Sequence, residues 1–370
     1  MSPAESLAWI AAGLAAGPGA VGIWLALNLW RRDVRIDCGA ALHMRDLLEL
    51  KARIARDVDG PRVLFCGLSN VMIGIRAEQI GEAIGARTVN LGVLANLTPT
   101  MVFEAILRTA RGGDLVVLSC PYWFYQRETT IDHQAPHVKD LVFSYPTRAF
   151  FELPLRYQAS FLVRQRPGHV ASALARKGLC FAGAKSLPSG PAVLPHLRRD
   201  CDGGAFTQAG DYLGNYAGAR SDAHVERVRA HPNRLHAYRV ERRGETARGL
   251  RGFARAARER GVGLVAVWPA AYVGDDAAAF EARDAPIRKQ IEALHDEVGI
   301  ALLGDPAEFW YPLDAFFDSA NHLTYEASVV YSARVAQLVG AVAEEVPMSA
   351  TTDATMAAHD RASHRPSRIE

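Results

Sequence analysis

Five short runs of aliphatic residues do most to limit what this chain can fold into. They are "RVLFC" at 62–66, "RTVNLG" at 87–92, "DLVVLS" at 114–119, "VGLVAVWP" at 262–269 and "GIALLG" at 299–304. None alternates between apolar and polar, so each is expected to be a strand buried on both faces, as in a parallel sheet. Parallel neighbours need crossover connections, and stretches with helical spacing lie between the runs at 75–85, 99–111, 246–260 and 278–297. Two more helices are expected, at 42–57 before the first run and at 325–343 after the last. The alternation predicts an α/β chain: a flavodoxin-like three-layer α/β/α sandwich with about five parallel strands. In such sheets ligands bind beyond the carboxyl ends of the strands, so chemistry is sought there.

The ends and the middle of the chain differ from this core. Residues 6–30, "SLAWIAAGLAAGPGAVGIWLALNLW", carry no charge, and Arg31 and Arg32 close the stretch. That is long enough to cross a bilayer, so residues 1–33 are expected to be an N-terminal transmembrane anchor. No basic segment precedes it, which argues against a cleaved signal peptide. A buried helix pair broken at Gly17-Pro18-Gly19 is the other reading. Residues 34–346 are expected to form the α/β domain, with a cap inserted at about 120–245, over the strand ends. Residues 347–370 lack periodicity and read as a disordered tail.

Net charge excludes one class of partner. At +2 over 370 residues the chain has no basic field to hold nucleic acid. The five cysteines form no C-x-x-C; Cys66 and Cys120 are expected to be buried at strand ends, and Cys180 could reach Cys201. Asp132, His133 and His137 have zinc-ligand spacing for a helix, but Pro136 opposes a helix there, so a lid loop is expected. No metal or cofactor is expected. Tyr122, Trp123, Phe124 and Tyr125 read either as core under the cap or as an aromatic floor for a ligand.

Two stretches carry candidate chemistry. In "VLFCGLSNVMIG" the first strand ends at a glycine and Ser69 follows before a helical pattern. Its hydroxyl could stand at the strand end as a nucleophile beside free helix N–H groups, or could merely cap a helix. The stretch is neither G-x-S-x-G nor a dinucleotide fingerprint. The second stretch, "FFDSANHLTYEAS" at 316–328, follows the fifth strand and therefore falls at the same sheet edge. It offers His322 as a base and Asp318 to orient it.

Together these stretches resemble the SGNH, or GDSL-like, hydrolases, over about 62–120 and 260–343. Gly67-Leu68-Ser69-Asn70 stands for their first block, "NLG" brings Gly92 for the second, and Asp318 to His322 stands for the last. The chain is similar in style to membrane-anchored members that serve glycan O-acylation, the AlgJ/AlgX-like and DltD-like proteins. The phrase "FTQAGDYLGNY" at 206–216 is reminiscent of insertions in such members. The resemblance implies Ser69 as nucleophile, His322 as base, and Asp318 as its partner. It implies an oxyanion hole from the N–H groups of Ser69 and Gly92. It also implies an acylated, O-acetylated glycan or similar ester as substrate and a membrane-bound acyltransferase as partner. The implied location is single-pass membrane with the domain outside the cytoplasm, whereas Arg31 and Arg32 favour the cytoplasmic side.

Three departures bear on this. Leu68 replaces the first-block Asp. The last block has one residue more than D-x-x-H, which leaves Asp314 as an alternative partner for His322. The third-block asparagine is missing; Asn96 could supply a side-chain donor or be a turn residue. These departures also suit an inactive SGNH-like domain that binds or scaffolds in a polysaccharide complex.

Overall fold

The computed structural model describes residues 40–93, 99–125, 206–215, 217–230, 239–272, 274 and 277–345. The expected anchor, the 132–137 loop, Cys180, Cys201, Asn96 and the expected tail lie outside the described residues. The chain divides into two compact units, and nearly all described residues belong to the one formed by Asp46–Ile131 and Pro191–Glu370. Of the other unit, only residues 40–45, the first turn and a half of a helix, are described. Among the described residues no helix is long and apolar enough to cross a membrane.

Five strands form one parallel sheet: β1 (Val63–Gly67), β2 (Thr88–Asn90), β3 (Leu115–Ser119), β4 (Gly263–Val267) and, after a further short strand, β6 (Ala301–Leu303). Their spatial order is β2-β1-β3-β4-β6. This is the doubly wound order, with its direction change between β1 and β3. Every residue of β1, β2 and β3 is buried, which is why these runs are aliphatic without alternation. Register is fixed across the switch, where Val63 pairs with Leu115 and Gly67 with Ser119. At the opposite edge a buried ion pair pins the same two strands. Arg62 donates from its backbone N–H to Asp114 Oδ1 at 3.0 Å and from Nε to the same oxygen at 3.1 Å. A buried guanidinium is tolerable only when its donors are taken, and its remaining ones reach Ala55 O and Thr109 O.

Helices cover the sheet. They are α1 (Ala40–Arg56), α2 (Ser69–Gly74), α3 (Ala77–Ile84), α4 (Pro99–Thr109), α5 (Tyr122–Tyr125), α6 (Asp222–Ala230), α7 (Glu245–Glu259), α8 (Ala277–Val298) and α9 (Tyr325–Glu345). α9 packs on α2 and α3, while α7 packs on α4 and α8. The expected helix at 75–85 is found as α3, and a separate six-residue helix, α2, precedes it. α2 stops at Gly74 because Ile75 is extended (φ −101°, ψ 134°), and α3 begins after Arg76. The break lets the buried Arg76 side chain reach the carbonyls of Ile73 and Tyr212 and the hydroxyl of Ser328. α3 ends where Gly85 turns left-handed (φ 65°).

Two strands too short to leave a sequence pattern form a second, parallel pair, β5 (Ala271–Tyr272) with β7 (Trp310–Tyr311). Tyr122, Phe124 and Tyr125 are buried, so on these three the core reading of the aromatic run holds. Cys66 and Cys120 are buried free thiols at the strand ends, as expected. Burial raises both thiols above their ordinary range, Cys120 to about 12, which makes them poor nucleophiles.

Candidate functional site

β1 delivers Ser69 to the carboxyl edge of the sheet beside the switch point. Gly67, the last strand residue, is needed for close approach. A Cβ there would lie 2.4 Å from the carbonyl oxygen of Ser119 and 2.4 Å from a methyl of Val71. The chain then turns directly into α2. Leu68 is the N-cap residue and makes no side-chain cap, so Ser69 is the first helical residue and not the cap. The cap reading of Ser69 is thus set aside. The N–H groups of Val71 and Met72 both close on Leu68 O, at 3.0 and 3.1 Å. Ser69 is 6% exposed, and among the described residues no group hydrogen-bonds its hydroxyl. Its neighbour Asn70 donates from Nδ2 to Ser119 O at 3.0 Å, tying α2 to the end of β3.

Gly92 follows β2 and packs under the same helix. A Cβ on it would lie 2.2 Å from the backbone nitrogen of Met72. Gly92 is therefore required sterically, where the backbones of two segments touch. Its N–H is engaged, donating to Asn90 Oδ1 at 2.9 Å. Asn90 is fully buried, and its Nδ2 donates to Val71 O, Ile75 O and Asp211 Oδ1 at 3.0–3.1 Å. The oxyanion role that the resemblance implies for Gly92 requires this N–H to leave Asn90.

The loop before α9 carries the other half. His322 Nδ1 lies 2.6 Å from Asp318 Oδ1. Beside a carboxylate, Nδ1 is assigned as the N–H that donates, which leaves Nε2 as the second ring nitrogen. Asp314, the alternative partner, is exposed and does not pair with His322. The stretch from Asp318 to His322 closes in a tight loop. Phe317 N–H donates to His322 O at 2.7 Å, His322 N–H donates to Ser319 O at 3.2 Å, and Phe316 bridges to Leu323. Burial works against ionisation of Asp318. The hydrogen bond and charge of His322 outweigh it, and His224 and Arg227 of α6 add to the effect, so the carboxyl stays below its ordinary range. Arg220 holds the loop from outside by donating to the carbonyls of Leu313, Asp314 and Phe316.

A strap from the inserted region joins the two halves, and only faint resemblance had drawn attention to it in the sequence. Asp211 accepts from the first N–H groups of α3, Ala77 at 2.9 Å and Glu78 at 3.1 Å. Lys51, buried, donates to the carbonyls of Asn90 and Gly210, and burial lowers its amine to about 7 against the pull of Asp211. Asn215, also buried, bonds to α2, to Arg76 and to the His322 loop. Single asparagines and aspartates in a glycine-rich stretch look like turn residues, so sequence alone could not identify these roles.

Further along the same edge, Tyr331 of α9 bridges β3 and β4. Its hydroxyl donates to Trp268 O at 2.9 Å and meets Ser119 Oγ at 3.2 Å. Tyr122 stacks on Trp268, with centroids 6.0 Å apart. Asp284 of α8 is buried without a hydrogen-bond partner among the described residues, and burial raises its carboxyl to about 6. Among the described residues no cluster of His, Cys, Asp and Glu is suited to hold a metal ion.

Comparison of the chain with protein-family models, with curated proteins and with solved structures gives no match.

Proposed function

We propose that the chain is a membrane-anchored SGNH-type serine esterase or O-acyltransferase. The observation that carries the reading is the Asp318–His322 pair at 2.6 Å, on a loop fastened to the helix that begins at Ser69. Ser69 attacks the acyl carbon. His322 Nε2 takes the hydroxyl proton as the tetrahedral intermediate forms, then delivers it to the leaving oxygen. Asp318 holds the tautomer and stabilises the imidazolium that forms. The N–H of Ser69, the N–H of Gly92 once released from Asn90, and the Asn96 side chain are the donors for the oxyanion. Each such donor contributes about 3 kcal/mol to the transition state. The substrate proposed is an acylated, O-acetylated glycan or similar ester. The reacting domain is proposed to lie outside the cytoplasm, with a membrane-bound acyltransferase as partner.

The test is labelling of the full chain in detergent by a fluorophosphonate, an electrophile that traps activated hydroxyl nucleophiles. The reading expects label on Ser69 and none on Ser69→Ala.

A second reading, a non-catalytic domain that binds or scaffolds, is favoured by the engaged N–H of Gly92. A hole whose donor is already satisfied is not set for an oxyanion. Measurable glycan binding with an unlabelled Ser69 would select this reading.

A further inference from the structure

We infer that Asn215 is a positioning residue that fixes the base-bearing loop against the nucleophile-bearing helix. The inference rests on the hydrolase reading above.

Asn215 is fully buried, and its side chain spans the two halves of the site. Nδ2 donates to Ile73 O at 3.2 Å, and Ile73 lies four residues after Ser69 on the six-residue helix α2. The same nitrogen donates to Leu323 O at 2.8 Å, and Leu323 directly follows His322. Oδ1 accepts from Arg76 Nη2 at 2.8 Å, which fixes which end of the amide faces the two carbonyls. The backbone carbonyl of Asn215 accepts from Tyr325 N–H at 2.8 Å, anchoring the residue to the start of α9. Leu323 also closes on α2 directly, its methyl 3.7 Å from where a Cβ of Gly74 would stand.

The amide offers two N–H groups, one for each carbonyl, and Ile73 O also accepts from Arg76 Nη2 at 3.2 Å. Ile73 O lies at the frayed end of α2 before the extended Ile75, and Leu323 O lies just before α9. Without this amide the Leu323 carbonyl loses its hydrogen-bonded link to α2, and Ile73 O keeps only the Arg76 donor, so the loop is less firmly held against the helix. Displacements of about 1 Å at a reacting pair cost on the order of 10²-fold in rate. Asn215 touches neither Ser69 nor His322, so its effect falls on their separation.

Asn215→Asp isolates this function. The carboxylate keeps the acceptor for Arg76 and loses both donors. In the full chain, kcat for p-nitrophenyl acetate is expected to fall about 10- to 100-fold with KM nearly unchanged. Fluorophosphonate labelling of Ser69 is expected to slow by the same factor. Asn215→Ser, which is smaller and keeps a hydroxyl, serves if the Asp variant does not fold. Asp114→Asn weakens the fold at the opposite edge of the sheet and is the control for a simple loss of stability. It is expected to lower Tm and leave kcat per folded molecule unchanged. If a folded Asn215 variant keeps wild-type kcat and labelling rate while its Tm drops as in the control, Asn215 is structural only and the inference is wrong. A wild-type chain that neither turns over nor labels contradicts the hydrolase reading itself, and this inference with it.

Discussion

His322 has one ring nitrogen committed to Asp318 and the other unclaimed among the described residues. That asymmetry turns an imidazole into a directed base, and a carboxamide in place of the carboxylate destroys it by favouring the wrong tautomer. Asp318→Asn is therefore expected to lower kcat for p-nitrophenyl acetate by about 10³- to 10⁴-fold, with little change in KM. The raised carboxyl of Asp284 gives a second prediction at this scale. Burial is its cause, partly offset by Arg288 and reinforced by Glu292, Asp305 and Glu281. A carboxyl whose folded pKa lies above its unfolded one holds protons more tightly when folded. Its contribution to stability is thus most favourable in acid and is lost as pH rises from the unfolded value toward about 6. In Asp284→Asn the loss is absent. Denaturant titrations should find the variant gaining roughly 2–3 kcal/mol on the wild type between pH 4 and pH 8. At this scale the sequence singled out Ser69, which starts α2 directly after β1, and Asp318 and His322, which the structure pairs on the loop before α9. It was silent on Asn90, Asn215 and Asp284, whose importance lies in burial and in partners remote along the chain.

Among the elements, α2 is the one on which the site depends. It has only six residues, too few to hold itself together, so its position comes from its neighbours. Gly67 lets it start against β3, Gly92 lets β2's exit pass beneath it, and the side-chain amides of Asn90 and Asn215 donate to its carbonyls. Gly92→Ala places a methyl where backbone atoms of Met72 already are, and backbone cannot step aside as a flexible side chain can. A loss of roughly 1–3 kcal/mol is expected, read as a lowered urea midpoint, together with loss of any Ser69 labelling. The sequence shows why some elements were legible and others not. The strands β1, β3 and β4 fall within a residue or two of the expected runs because double-sided burial demands unbroken aliphatic stretches. α2 was not expected as an element of its own, because six residues are too few for a helical period to show in "SNVMIG". Its break from α3 is imposed from outside, by the buried network around Arg76.

At the scale of the whole molecule, the doubly wound order puts β1 and β3 side by side at the switch and gathers the ends of β1, β2 and the loop before α9 at one edge. That edge faces the return of the long β3–β4 connection, which contributes Asp211 and Asn215. The amino edge carries the Arg62–Asp114 pair and, among the described residues, none of the candidate site residues. The uncharged stretch at 6–30 adds a prediction of its own. The full chain should sediment with membranes after a carbonate wash, whereas a chain beginning at residue 35 should stay in the supernatant. Recovery of the full chain in the supernatant would refute the anchor.

Everything proposed for the site turns on Ser69. The most direct measurement is steady-state hydrolysis of p-nitrophenyl acetate by the full chain and by its Ser69→Ala variant, purified side by side with matched Tm. The account predicts turnover by the wild type that falls to the uncatalysed background in the variant. Equal turnover by the two proteins would contradict it.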